Sequence, residues 1–194
     1  FLEFIVFICG AEVMILEMVG SRVLAPYLGT SLFVWTSLIG VILGCLSLGY
    51  WQGGKLADKR GDYKALSLII FLSAVTVGIL SLSKEPILFY LQRNLTELRL
   101  TATVATTILF GPASILLGMV LPFALKLKIK SLESTGSTVG TLYAVSTIGS
   151  IFGTFLAGFF LISFFGSTTI LMIISASLSV LSLLIYFRDL TLSK

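Results

Sequence analysis

Apolar residues fill this chain in six long runs, and the polar residues collect in the short stretches between them. The first run covers about 2–25 and is interrupted by Glu12 and Glu17, and Pro26 to Thr30 reads as a turn. A second run spans about 31–53, a charged stretch follows over 54–64, and a third run occupies about 65–83. Residues 84–99 hold Lys84, Glu85, Pro86, Arg93, Glu97 and Arg99, too many charges for a bilayer crossing. Within them Ile87, Leu88, Leu91, Leu95 and Leu98 recur at helical spacing, which predicts a short helix lying at the outer interface. The remaining runs cover about 101–124, with Pro112 and Pro122, then 137–163 and 168–187. A lysine-rich loop (Lys126, Lys128, Lys130) and a turn at Gly166 to Thr168 separate them. Runs of about 20 apolar residues match the bilayer core. The expected fold is therefore all-α: a polytopic membrane protein, one domain over 1–194, with halves at about 1–83 and 101–187.

Composition agrees and excludes. A chain that is 57% hydrophobic and 11% charged, with a mean hydropathy of +1.08, belongs with membrane proteins rather than soluble domains. Histidine is absent, so no His-ligated metal or His proton relay can be built. Cys9 and Cys45 sit inside apolar runs and read as small packing residues. Neither a metal site nor a cofactor site is expected. The net charge of +4 does not point to nucleic acid, because the basic residues lie in short loops, where they report topology. The chain opens at Phe1, without a methionine and already in apolar sequence, as a processed or longer protein would.

The loops after runs two and four and the C-terminal stretch carry nine basic residues: Lys55, Lys59, Arg60, Lys64, Lys126, Lys128, Lys130, Arg188 and Lys194. The opposite side carries four: Arg22, Lys84, Arg93 and Arg99. That excess predicts a multi-pass protein of the cell membrane with both termini in the cytoplasm.

The halves also resemble each other weakly. Gly10 to Val19 aligns with Gly111 to Val120, bringing two Met-Val pairs into register, and Gly40, Gly44 and Gly49 share their intervals with Gly149, Gly153 and Gly158. Two such matches in the same order favour a 3+3 repeat, and with three spans per half the repeats must be inverted. The glycines would then be close-packing faces. Two unrelated glycine-packed helix pairs remain the alternative.

Gly54-Lys55-Leu56-Ala57-Asp58-Lys59-Arg60-Gly61 resembles the loop motif G-x-L-A-D-R-x-G of the major facilitator superfamily and stands at the same place in the span order. It departs at Asp62-Tyr63, where that family continues with basic residues. The stretch from Gly10 to Gly61, together with Gly140 to Gly149 and Gly153 to Gly158, is similar to the membrane part of spermidine synthase-like proteins. This resemblance implies a bundle like half of a major facilitator transporter. It implies a gating role for Gly54, Asp58, Lys59, Arg60 and Gly61. No aminopropyltransferase-type domain accompanies it in this sequence, so polyamine synthesis does not carry over, and no enzymatic activity is expected.

Two residues stand out chemically. A carboxylate near mid-membrane costs about 2.5–3.5 kcal/mol and needs a partner or a cavity. Glu12 and Glu17 are separated by more than a helical turn's face, so they cannot share one site. Glu17 lies on a small, polar face with Gly10 and Ser21, and reads either as a cation or proton site or as a partner of Arg22. Glu12 lies among Ile5, Ile8, Val19 and Val23 and must meet another helix, another subunit or a proton. Tyr143 and Ser146 are candidates to line a cavity. The expected function is a transporter-like module for a cationic or amphipathic solute, acting in lipid as a homodimer. The alternative is a non-catalytic anchor or accessory subunit of a larger membrane complex.

Overall fold

The computed structural model describes residues 1–129 and 135–192, and every element in them is helical. Six helices follow in order: α1 (Leu2–Leu28), α2 (Leu32–Lys59), α3 (Tyr63–Asn94), α4 (Leu98–Lys128), α5 and α6 (Ser167–Leu192). Helix α5 is one rod in three parts: α-helical over Thr135–Phe155, π-helical over Leu156–Leu161, and α-helical again over Ile162–Phe164. Five of the six, α2 to α6, are long and apolar enough to cross a membrane. Helix α1, which carries Glu3, Glu12, Glu17 and Arg22, stands apart from that group.

Several boundaries differ from the sequence expectation, for one reason. Residues 84–94 do not form a separate interfacial helix, because α3 continues through Pro86 to Asn94. At 1.5 Å per residue its 32 residues reach about 48 Å, well beyond a hydrocarbon core of about 30 Å. Charges exclude a segment from lipid without ending its helix. Toward the C-terminal end of α3, past the apolar stretch, water can serve the carbonyl that a proline leaves unbonded. The stretch 54–64 is likewise mostly helix. Gly54, Asp58 and Lys59 belong to the last turns of α2, and the break is confined to Arg60, Gly61 and Asp62. Asp62 then caps α3 by accepting from the Ala65 amide at 2.7 Å. Helix α1 also passes its proline, Pro26, and ends at Gly29, whose φ of 76° suits glycine.

The helices alternate in direction. Three ion pairs gather the N-terminal ends of α1 and α3 with the C-terminal ends of α2, α4 and α6: Glu3–Lys128 at 2.5 Å, Asp58–Lys126 at 2.9 Å and Lys64–Asp189 at 3.6 Å. Both described chain ends thus lie at one basic end, with Lys130 and Lys194 outside the described residues. Such exposed pairs contribute at most about 1 kcal/mol each. At the opposite end the Arg22 guanidinium donates to the carbonyls of Ile162 and Phe165, where α5 runs out of partners. There too the buried Lys84 donates to Ser81 O at 3.1 Å and Thr168 Oγ1 at 2.7 Å, tying α3 to the start of α6.

Three helix pairs hold the bundle. Helices α3 and α6 are joined by hydroxyls. Ser67 Oγ donates to Ser182 O at 2.9 Å, Ser182 Oγ donates to Ser67 O at 2.8 Å, and Ser175 Oγ donates to Ala74 O at 2.8 Å. Helices α2 and α4, and α1 and α5, are joined instead by bare backbone. A Cβ on Gly49 would strike the Ile115 carbonyl, and one on Gly53 would lie 2.6 Å from Met119 Cα. In the other pair a Cβ on Gly149 would strike the Phe7 carbonyl, and one on Gly153 the Ala11 carbonyl. Gly118 and Gly10 answer from the facing helices, the first against Leu46 O at 2.7 Å and the second against Ser146 O at 2.5 Å. Helix α1 touches all five other helices, which makes it the centre of the bundle.

Only part of the expected glycine faces packs within the chain. Gly49, Gly149 and Gly153 are buried against backbone, whereas Gly40 and Gly44 face open space and Gly158 meets nothing nearer than Met18 Cε at 3.9 Å. The contact stripe of α2 is displaced toward Gly49 and Gly53. That of α5 runs through Gly149 and Gly153 to Ala157, at the start of the π segment in which Gly158 is turned aside.

Two outcomes follow. Gly153→Leu is expected to lower stability by at least about 3 kcal/mol, since overpacking already costs about 1–3 kcal/mol where side chains can yield and here backbone must move. Gly44→Leu should melt in detergent within a few degrees of the parent. Equal melting of the two variants would contradict the packing described. In proteoliposomes of uniform orientation, single cysteines at Lys59 and Lys128 should react with a charged maleimide from one side, and one at Arg93 only from the other. Reaction of 59 and 93 from the same side would refute the alternating arrangement.

Candidate functional site

The glycine contacts bring α1, α2, α4 and α5 together and leave a small cavity of about 50 Å³ where they meet. Its walls are mainly Val6, Val13, Leu46, Leu117 and Val120, but Tyr50, Ser146 and Ser150 also reach it. Ser150 Oγ donates to the Gly10 carbonyl at 3.2 Å, so α5 is pinned to α1 beside the space. At about 10–15 Å³ per enclosed water, the cavity has room for roughly three waters and not for an organic solute.

Glu17 lies one turn beyond Val13 on α1 and is half-buried. It has no hydrogen-bond or ion-pair partner among the described residues. In particular it does not pair with Arg22, whose guanidinium is bound to the Ile162 and Phe165 carbonyls. The structural partnership offered by the sequence is thereby replaced: Arg22 closes the end of α5, and Glu17 stays open. Ser21, on the same face, donates to the Met18 carbonyl at 2.8 Å, so its proton is occupied within its own helix.

Tyr143 projects outward, 52% exposed, near Tyr50, which is 44% exposed. Tyr50 from α2 and Ser146 from α5 line the cavity and Tyr143 stands beside Tyr50, whereas Glu17 is outside the lining, one turn beyond Val13 along α1. The structure adds Tyr50 and Ser150, which sequence reasoning missed. Ser150 follows Ser146 by four residues and therefore shares its face, a signal that was available. Tyr50 had a weaker signal: of its neighbours on the face of α2, Leu46, Ser47, Gly53 and Gly54, only Ser47 is polar, and its hydroxyl is turned to the Leu43 carbonyl.

Glu12 belongs to a different place. It is 6% exposed, packed toward Ser177 of α6, and its Oε2 is enclosed without a partner. The motif at the end of α2 lies at the basic end of the bundle. Asp58 bridges to Lys126 of α4, while Lys55 stands 3.7 Å over the Trp51 ring. Among the described residues no group of three or more His, Cys, Asp or Glu is placed to hold a metal ion.

Chemically, the cavity offers one tyrosine and two serine hydroxyls, with Tyr143 beside Tyr50 and the Glu17 carboxylate a turn beyond Val13: acceptors and π-faces suited to a cation, and no basic side chain in the lining to take an anion. Comparison with models of protein families, with curated proteins and with solved structures finds no match to this chain.

Proposed function

We propose that this chain is a transporter-like membrane module in which all six helices span the bilayer, and that its central face handles a cationic or amphipathic solute. The observation that carries the reading is the unpartnered, half-buried Glu17, one turn along α1 from Val13, which walls a cavity that Tyr50, Ser146 and Ser150 also reach. A carboxylate at that depth cannot face lipid without a cost of about 2.5–3.5 kcal/mol. The cavity holds only a few waters. A second copy laid against the same face would enlarge the space and shield the charge, so the working unit is a homodimer.

The contacts support an inverted 3+3 repeat, half-major-facilitator-like, in a register other than the one suggested by sequence spacing. Phe7, Gly10 and Ala11 stand to α5 as Ile115, Gly118 and Met119 stand to α2, and Ser146, Gly149 and Gly153 correspond to Leu46, Gly49 and Gly53. Gly10 then pairs with Gly118 rather than Gly111. The same reading keeps the resemblance to the membrane part of spermidine synthase-like proteins, a non-catalytic role for this chain, and a cell-membrane location with the basic end in the cytoplasm. In it, the Asp58–Lys126 bridge is a latch within the α2–α4 pair that breaks when the ends of these two helices part at the basic end.

A second reading is favoured by the open Gly40 and Gly44 on α2: these bare positions suit an accessory subunit whose outer face is covered by an unlike protein. Native mass spectrometry from mild detergent separates the two, a homodimer supporting transport and a co-purifying unlike chain supporting the accessory role.

The site itself is tested by melting in the presence of polyamines and alkali cations. Wild type should gain about 2.7 kcal/mol when the effective cation stands at 100 times its dissociation constant. Glu17→Gln should fold but lose that gain. Wild-type melting that responds to none of these cations would refute the cation site.

A further inference from the structure

Glu12 takes no part in the central face, yet its surroundings are unusual. On the far side of α1, a groove of about 430 Å³ runs between α1 and α6, lined by Phe4, Ile8, Ile173, Ser177, Val180 and Leu184 among others. Ser177, in that lining, is also the side chain that faces the Glu12 carboxyl. Ile8, one turn before Glu12, lines it too. The groove is almost wholly apolar and opens on the outer face of the bundle, where lipid lies.

An ionised carboxylate there would need several donors, and a single serine hydroxyl is within reach while Oε2 has none. The helices packed on α1 bring no cation to the carboxyl. Helix α5 has no charged side chain among its residues, and its Tyr143 faces the central seam. The ionisable residues of α2 are Cys45 in its middle, Tyr50 at the central cavity, and Lys55, Asp58 and Lys59 at the basic end. Those of α4 lie at its two ends, and α6 carries Tyr186, Arg188 and Asp189 in its last turns. Helix α3 carries Tyr63 and Lys64 at its start, where Lys64 pairs with Asp189, and Lys84, Glu85, Tyr90 and Arg93 toward its other end, where Lys84 is held by Ser81 and Thr168. On α1 itself the Cys9 thiol is the nearest titratable group. Nothing in this shell compensates a negative charge, whereas a neutral carboxyl needs only Ser177.

We propose that Glu12 is a proton-binding site separate from the central face, carrying its proton in the resting bundle and reached from the lipid phase through the α1–α6 groove. Charge placed on Glu12 would have to be met by separating α1 from α6. Its protonation state is therefore linked to how tightly those helices close.

A lipid-soluble carbodiimide tests this on wild type in phosphatidylcholine vesicles. The protonated carboxyl adds across one C=N bond of the reagent, its oxygen going to carbon and its proton to nitrogen. The adduct rearranges to a stable N-acylurea with nothing lost, so the peptide gains the full mass of the reagent. Peptide mapping should find dicyclohexylcarbodiimide on Glu12, with labelling that falls about tenfold per pH unit once the carboxyl ionises. A water-soluble carbodiimide bearing a quaternary ammonium should label Glu3 and leave Glu12 unmodified. Ala176→Phe, which fills the groove, should slow labelling several-fold, and Glu12→Gln should remove it. No adduct on wild-type Glu12 at about pH 6 would overturn the proposal. So would equal labelling by the water-soluble reagent, or a rate indifferent to Ala176→Phe. These outcomes are independent of the cation response of Glu17.

Discussion

Between helices in lipid there is no hydrophobic gain, because hydrocarbon chains are as apolar as leucine. Association must come from backbones approaching closely and from polar groups that would otherwise stay unsatisfied. This bundle uses one device in each place. Gly49, Gly53 and Gly118 join α2 to α4, Gly10, Gly149 and Gly153 join α1 to α5, and serine hydroxyls join α3 to α6. Everything else is arranged around those three seams, including the small cavity left where the two glycine-joined pairs meet.

The same constraint explains the placement of the charges. Helix α1 is in contact with every other helix and is the one that carries two carboxylates in its middle. A central helix can present one face to a polar seam and another to an apolar groove. The five-residue separation of Glu12 and Glu17 sends them to those two different environments. The basic and acidic residues at the ends do little for stability, but they mark which helix ends lie together.

Hydropathy located the apolar spans well, because about 20 consecutive apolar residues have few other uses. It located helix ends poorly at 54–59 and 84–94, since charge reports depth in a bilayer and not the end of a helix. The divergence of Glu12 from Glu17 was legible from 3.6 residues per turn alone. Glycine spacing was legible too, but its direction was not: Gly40 and Gly49 look alike on a helical wheel until a partner helix is in place. For the same reason the repeat register suggested by equal intervals is not the register of the contacts. Tyr50 escaped notice because a single tyrosine in an apolar run carries no information about what stands opposite it.

The π-helical turn over Leu156–Leu161 divides α5 into two parts with different obligations. Before it, the helix is bound residue by residue to the backbone of α1. Within it Phe159 and Phe160 point outward, as Phe164 does beyond it, and past the turn Arg22 of α1 holds the carbonyls of Ile162 and Phe165. A π turn holds more residues than an α turn, so the side chains beyond it are rotated relative to an uninterrupted α-helix. The glycines bound to the α1 backbone and the carbonyls bound to Arg22 therefore sit on opposite sides of the one place among the described residues where the helical phase of α5 changes.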